Sequence, residues 1–375
     1  MKRARPSSPG ILSPKKRKRA PKRGDLTYEN LREHDRVAPP LTTSAPCKVS
    51  DAQYRAGHLR RANIFVDEDT PPDVSDYVSD TFYLVPDKDF KTLQRVADEL
   101  WLKCKELARR SSGEAEWTAA LRTAIDELMP PGLEIVLNRG KQLNSSWYPF
   151  DWRGDLKPPV HNPRPTISQK QDQSHQLVQE GVNIAGPTVP IYKLEDPRPA
   201  ICVGLSEESL TNALEPTKGR SAARNFLLDL QDTFTLISDP HVTPSSLRFP
   251  FLMVEAKSGA TGGNLYQAQN QAAVSGSSAL RILQRFSDLH AQALDTESQA
   301  SFYLALSITT DGPTHELWVH YQRPGEGGFY MVCSIGSWRT TLKDSSFEFA
   351  RLLSAVLRWG NDTLGETILY MLEEM

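Results

Sequence analysis

The sequence predicts an α/β protein with a mixed central sheet flanked by helices, and two observations carry that expectation. Strand-like apolar runs and helical apolar stripes alternate over residues 81–375. Ahead of them, residues 1–80 are rich in Pro, Ser, Lys and Arg and show no apolar periodicity, so they read as a disordered basic tail. The chain is 39% hydrophobic and 8% aromatic, which is enough to fill one sizeable core, so residues 81–375 read as one domain.

Each element has its own signal. Leu93, Val96, Ala97, Leu100, Trp101, Cys104, Leu107 and Ala108 recur at helical spacing. Trp117, Leu121, Ala124, Ile125 and Leu128 place a second helix over 114–129, ended by Pro130-Pro131-Gly132. Residues 157–199 hold eight prolines and read as a long loop or an extended wrap. Ile201, Val203 and Leu205 alternate with Ala200, Cys202 and Gly204, the period of a strand. A helix over 222–236 follows, then a buried strand from Phe249 to Val254. Gly259, Gly262 and Gly263 break the chain before a long helix over 264–290. Strand-like runs at 302–308, 316–321 and 329–335 are separated by turns, and a last helix covers 347–359.

Charge is distributed unevenly. The first 23 residues hold ten Lys/Arg and no Asp or Glu, although the whole chain has a net charge of only −2. The body is therefore acidic, and any polyanion-binding surface on it must be a local patch. The run Lys15-Lys16-Arg17-Lys18-Arg19 with Lys22-Arg23 suits a nuclear import receptor, which reads extended Lys/Arg-rich peptide, so residues 15–23 point to the nucleus. The other reading is a solvated tail that adheres weakly to any polyanion. Cys47, Cys104, Cys202 and Cys333 show no C-x-x-C spacing, and the eight histidines show no H-E-x-x-H. That pattern supports neither a zinc site nor a disulfide framework and suits a reducing compartment. No apolar stretch is long enough to span a membrane.

The chemistry is concentrated in Met253-Val254-Glu255-Ala256-Lys257-Ser258. An apolar strand ends in a carboxylate and an ammonium two residues apart, which share a face with about 6–7 Å between them. Burying both is costly unless they are paired, hydrated or bound to something. Metal-assisted phosphodiester hydrolysis needs such groups: a carboxylate for Mg²⁺, a lysine for the attacking water or the developing charge. It also needs a second acid.

These residues resemble the fungal PD-(D/E)XK nuclease-like proteins. The resemblance covers residues 80–375 and rests on four ordered segments. They are Ser112-Gly113-Glu114-Ala115-Glu116-Trp117, Arg198-Pro199-Ala200-Ile201-Cys202-Val203-Gly204-Leu205, the Glu255-Ala256-Lys257-Ser258 strand end, and Tyr266-Gln267-Ala268-Gln269-Asn270-Gln271-Ala272-Ala273 opening a helix. It implies a restriction-endonuclease-like fold, cleavage of nucleic acid (DNA first) and Mg²⁺, with Mn²⁺ as an alternative. By that resemblance Glu255 is the metal ligand and Lys257 the catalytic lysine. Gln271 stands near the scissile phosphate, and Glu114 is a helix acid toward the metal. Where the family has the Asp of its P-D dipeptide, this chain has Ala200.

Ala200 cannot bind a metal, and substitutes are poorly placed. Asp196 lies about 13 Å away along an extended strand, and Glu195 fails on the same ground. Glu207, Glu208 and Glu215 follow the strand rather than begin it, which leaves open a migrated ligand from Glu114 or from the unassigned loop that carries Asp151 and Asp155. Two functions from different classes remain: an impaired metal-dependent nuclease, or a catalytically degenerate fold that binds nucleic acid or a protein without cutting.

Bland readings stand beside each residue. Glu255 and Lys257 can be an exposed pair at a strand end. Glu114 lies three residues after Ser111, the spacing of a capping box. Gln271 can be an ordinary polar helix position, and Arg220 and Arg224 a solvated helix face. Trp147, Tyr148 and Trp152 can stack on bases or simply pack.

Overall fold

The computed structural model describes residues 52–83, 90–138, 151–163, 191–233, 235–295 and 302–375. The basic run at 15–23 and the aromatic pair Trp147 and Tyr148 lie outside the described residues. Seven strands form one mixed sheet: β1 (Ile64–Val66), β2 (Leu133–Leu137), β3 (Ile201–Ser206), β4 (Leu247–Ala256), β5 (Tyr303–Thr310), β6 (Thr314–Gln322) and β7 (Phe329–Arg339). Their order is β1-β7-β6-β5-β4-β3-β2. The β1–β7 and β4–β5 pairs are parallel, and the other four are antiparallel. The helices are α1 (Pro72–Val78), α2 (Phe90–Ala108), α3 (Glu114–Leu128), α4 (Glu207–Lys218), α5 (Arg220–Asp232), α6 (Leu265–Leu294), α7 (Lys343–Trp359) and α8 (Gly365–Glu374).

The two helical layers follow from strand alternation. Glu316 of β6 meets Gln269 of α6, whereas its neighbour His315 lies against Phe349 of α7. Successive strand residues face opposite ways, so α6 covers one face and α7 the other. The α7 layer is joined by α2, where Ser346 Oγ donates to the Ala97 carbonyl at 2.9 Å. A parallel pair needs a long crossover, and α6 is that crossover between β4 and β5. Gly276 lets α6 lie close to the sheet, because a Cβ there would fall 2.2 Å from the His320 ring. All ten residues of β4 are buried, as a central strand covered on both faces requires.

The start of β4 is fixed by Arg248, only 2% exposed. Its Nε and Nη2 donate to Glu207 Oε2 at 3.1 and 2.7 Å, and its Nη1 donates to Gln231 Oε1 and Ser238 Oγ at 3.1 Å each. One guanidinium thus ties β4, α4, α5 and the loop before β4 together. Across from it, Gly204 makes room for the β3–β4 register shift, since a Cβ there would come 2.5 Å from the Arg248 carbonyl.

The sequence expectation of a tail reaching residue 80 does not hold for residues 52–80. A π-helical turn at Tyr54–Leu59, β1, α1 and a second π-helical turn at Ser79–Tyr83 belong to the folded body. Tyr54, Leu59, Ile64, Val74, Val78 and Phe82 are all buried in its core. Each element is short and has its own period, so the apolar residues never form one long stripe. β2, α4 and α8 also went unseen. Among the described residues no helix is long and apolar enough to cross a membrane.

Candidate functional site

Glu255 stands one residue before the end of β4 and is 2% exposed. Its Oε1 accepts a hydrogen bond from Ser275 Oγ of α6 at 2.7 Å. Ser275 Oγ also lies 3.2 Å from the Gln271 carbonyl, one helical turn earlier. Gln271 is therefore linked through the helix to the carboxylate. Its own Oε1 is buried without a hydrogen-bond partner among the described residues.

Lys257, 6% exposed, is the first residue beyond β4. Its N–H donates to the Thr310 carbonyl at 2.8 Å, so the ladder and its alternation continue through Lys257. Glu255 and Lys257 thus start from the same face of the sheet. The amine donates to the Ala256 carbonyl at 3.1 Å and lies 3.6 Å from Glu114 Oε1 at the start of α3. An exposed pair at a strand end is excluded by the burial of both groups. Glu114 is also not the capping residue that the Ser111 spacing allowed. Gly113 is the N-cap, and its N–H donates to Glu116 Oε2 at 2.8 Å.

Ala200 immediately precedes β3. Its N–H donates to the Val254 carbonyl at 2.8 Å, and its carbonyl accepts from Asn138 at 3.1 Å. Ile201 is the register partner of Val254, so Ala200 and Glu255 are the next positions at the same end of the β3–β4 ladder. The five expected site residues therefore gather at one end of the sheet.

The structure adds residues that sequence reasoning missed. Glu255, Thr309 and Glu316 are register partners on neighbouring strands and share one face. Glu316 Oε2 accepts from Gln269 Nε2 at 2.8 Å, Thr309 Oγ1 at 2.9 Å and Trp318 Nε1 at 3.0 Å. Arg55 donates to Gln269 Oε1 at 2.9 Å and Asn270 Oδ1 at 3.0 Å, and burial is the main influence lowering its pKa. Ser275 was findable, one helical turn after Gln271. Tyr54 and Arg55 were hidden in the supposed tail, and Glu316 lacked any signal beyond strand period.

Beside Gln271 lies a narrow cleft lined by Tyr54, Glu195, Asp196, Arg198 and Val274. The strand-rise argument against Glu195 and Asp196 assumed an extended chain, but residues 191–199 form no regular strand. Side chains from other segments hold them in place. Tyr54 Oη accepts from the Glu195 N–H at 3.0 Å, and Lys157 Nζ reaches Asp196 Oδ1 at 2.5 Å. Arg198 pairs with Asp151 at 3.1 Å, where burial is the main influence raising the carboxyl pKa. Asp155 pairs with Arg153, and Glu207 is taken by Arg248. Trp152 is 1% exposed, which makes it a packing residue and not a base platform.

Two chemistries can be tested against these groups. Burial pushes the Cys104 thiol up to about 11 and Cys202 well above its usual range, so neither supplies a thiolate nucleophile. For a divalent metal, no three His, Cys, Asp or Glu side chains among the described residues come together as a ligand set. Glu255 offers one carboxylate with one oxygen already bound to Ser275, and Ala200 offers nothing. The donors present therefore do not fit Mg²⁺ or Mn²⁺, which require several oxygen ligands in fixed geometry.

The family model described as "Domain of unknown function (DUF7924)" matches residues 154–370, a span that holds Ala200, Glu255, Lys257 and Gln271 but not Glu114 or Tyr54. The comparisons with curated proteins and with solved structures found no match.

Proposed function

The chain belongs to the family described as a domain of unknown function (DUF7924), and we propose that it is a PD-(D/E)XK nuclease-like protein that binds a nucleic-acid phosphodiester and cleaves it weakly or not at all. The observation that carries this reading is the place of Ala200. It is the residue just before β3, with its N–H on the carbonyl of Val254, the neighbour of Glu255, and hydrolysis needs a second carboxylate at this end of the sheet. A restriction-endonuclease-like fold is supported by the same arrangement. Glu255 and Lys257 end one strand, position 200 begins its antiparallel neighbour, and Gln271 lies on the helix that follows.

What remains is suited to binding. Lys257 offers a positive charge at the sheet end, steadied by Glu114 and the Ala256 carbonyl. A buried ammonium of this kind attracts a phosphate oxygen more strongly than a solvated one. Gln271, on α6, brings an amide to the cleft it shares with Tyr54 and Arg198, where it can donate to a phosphate oxygen. Glu255 repels the phosphate unless a cation accompanies it, which works against cleavage without a fixed metal.

Wild-type chain and Glu255→Ala, incubated with plasmid and single-stranded DNA in Mg²⁺, Mn²⁺ and chelator, are expected to give the same low background. Robust cutting that Glu255→Ala abolishes would overturn the degenerate reading. If Asp196→Asn abolished it as well, the acid would come from the 195–196 segment that lines the Gln271 cleft.

The tail carries a separate expectation. Residues 15–23 direct the chain to the nucleus through an import receptor. Alanine at Lys15, Lys16, Arg17, Lys18 and Arg19 is expected to leave a tagged chain in the cytoplasm. Unchanged nuclear accumulation would overturn this, since 42.0 kDa plus a tag enters the nucleus poorly without a signal.

A further inference from the structure

The cleft beside Gln271 opens onto a continuous ladder of rings. Tyr54 lines the cleft and stacks on His58 with centroids 4.8 Å apart and planes at 16°. His58 meets Tyr192 edge-on at 5.3 Å, and the Arg61 guanidinium lies over the Tyr192 ring at 4.2 Å. The ladder begins at a buried residue, Tyr54, and ends among partly exposed ones.

Cations follow the same path. Arg55 lies over Tyr266 on α6 at 3.9 Å, and exposed Lys193 adjoins Tyr192. Among the described residues, Arg55, Arg61 and Lys193 form no ion pair with a carboxylate, whereas nearby Lys157, Arg153 and Arg198 do. On a body that is acidic overall, Arg61 and Lys193 are two cations without an ion pair among the described residues, set beside His58 and Tyr192. Such a combination suits bases that stack and a backbone that carries charge.

The free faces of the bases decide which nucleic acid fits. Glu255 and Lys257 are 2% and 6% exposed and the cleft at Gln271 is narrow, so a strand runs along the rim of this end of the sheet. A duplex keeps its base faces stacked inside and offers none to His58 or Tyr192. A single strand is thin and flexible, and its unpaired bases have free faces to stack.

We infer that His58, Tyr192, Arg61 and Lys193 form a docking track for a single strand of nucleic acid leading to the cleft at Gln271. The inference rests on the phosphodiester-binding reading above and adds the form of the ligand and its path. It also gives the segment around Tyr54, which lies outside the family match, a part in binding.

The same ring contacts also clamp residues 191–198 in place, and Arg61 is part of them through Tyr192, so the deciding variant is at Lys193, whose side chain takes no part in the clamp. Lys193 meets His58 Nδ1 only through its backbone, with its N–H at 3.2 Å and its carbonyl at 2.6 Å, so Lys193→Gln removes charge without touching the rings. The background is the full chain with alanine at Lys15, Lys16, Arg17, Lys18 and Arg19, which silences the densest part of the tail. Fluorescence anisotropy is measured with an oligothymidylate, an oligouridylate and a duplex of equal length over a salt series. The single strands are expected to bind about tenfold more tightly than the duplex, and the two single-strand arms report any DNA or RNA preference. Lys193→Gln and Arg61→Gln are each expected to weaken single-strand binding several-fold and to make the log–log salt slope shallower by about 0.7. Tighter duplex binding would overturn the inference. Single-strand binding that Lys257→Gln weakens but Lys193→Gln and Arg61→Gln do not would remove the track and leave the phosphodiester site standing. No binding of any of the three probes would remove both.

Discussion

Ala200→Asp is expected to raise metal-dependent cleavage of DNA at least about tenfold over the wild-type chain, a gain worth roughly 1.4 kcal/mol in the barrier. The argument is one of ligand count and position. In the wild type Glu255 is the only carboxylate at the end of the β3–β4 ladder among the described residues, and its Oε1 is held by Ser275. A metal bound by one acid stays mobile and mostly hydrated. Position 200 is the next residue beyond the Ile201–Val254 pair, so an aspartate there would stand beside Glu255 on the neighbouring strand. Neighbouring strands lie about 4.8 Å apart, close enough for two carboxylates to share one ion. Two acids this close repel each other without metal, which destabilises the apo variant and favours cation binding. Two readouts therefore move together. The thermal midpoint of Ala200→Asp falls below wild type in chelator and recovers in Mn²⁺, whereas wild type is indifferent to both. Cleavage appears only in the variant with metal and disappears when Glu255→Ala is added. A variant with neither a Mn²⁺-dependent midpoint nor cleavage would show that the site has lost more than one ligand.

The parts of this protein that were legible in its sequence are those where one physical period runs unbroken. The apolar stripe from Leu93 to Leu107 became α2, and the run through Phe251 and Val254 became the buried middle of β4. Glu255 and Lys257 stood out because charge at the end of a buried strand is expensive and so carries information. The segment from Tyr54 to Phe82 was illegible because four short elements divide its apolar residues. β2 offers only Leu133, Ile135 and Leu137 on one side after a proline pair, and it is recognised by its ladder to β3. The Glu195 and Asp196 segment misled for a different reason. Its course is set by Tyr54, Lys157 and Asn162, residues distant in sequence, through bonds that no local pattern encodes. Glu316 likewise gains its place from donors on β5, β6 and α6 that only the sheet register brings together.

Acid is expected to unfold this protein earlier than its carboxylates alone require, because two histidines are buried neutral. Both ring nitrogens of His315 are buried without a hydrogen-bond partner among the described residues, against Phe349 at 5.0 Å. His320 lies on the opposite face with Nε2 2.8 Å from Ser307 Oγ, under Gly276 of α6. Burial pushes each imidazole down to about 3 from an ordinary value of 6.5. Between those two values the unfolded chain binds a proton on each ring and the folded chain does not, so stability falls as pH falls. Each histidine contributes about 1.4 kcal/mol per pH unit in that window and nothing above it. Together they cost roughly 4 kcal/mol at pH 5, a large fraction of the stability of an ordinary domain. His315→Leu removes one of the two without inserting a new polar group. It is expected to halve the histidine part of the pH slope below 6.5 and to stabilise the protein by about 1–3 kcal/mol at neutral pH, because two unsatisfied nitrogens leave the core. Urea melts of wild type and His315→Leu at a series of pH values from neutral to mildly acidic give both quantities. Equal slopes in the two proteins would show that the His315 ring is protonated or hydrated in the folded state.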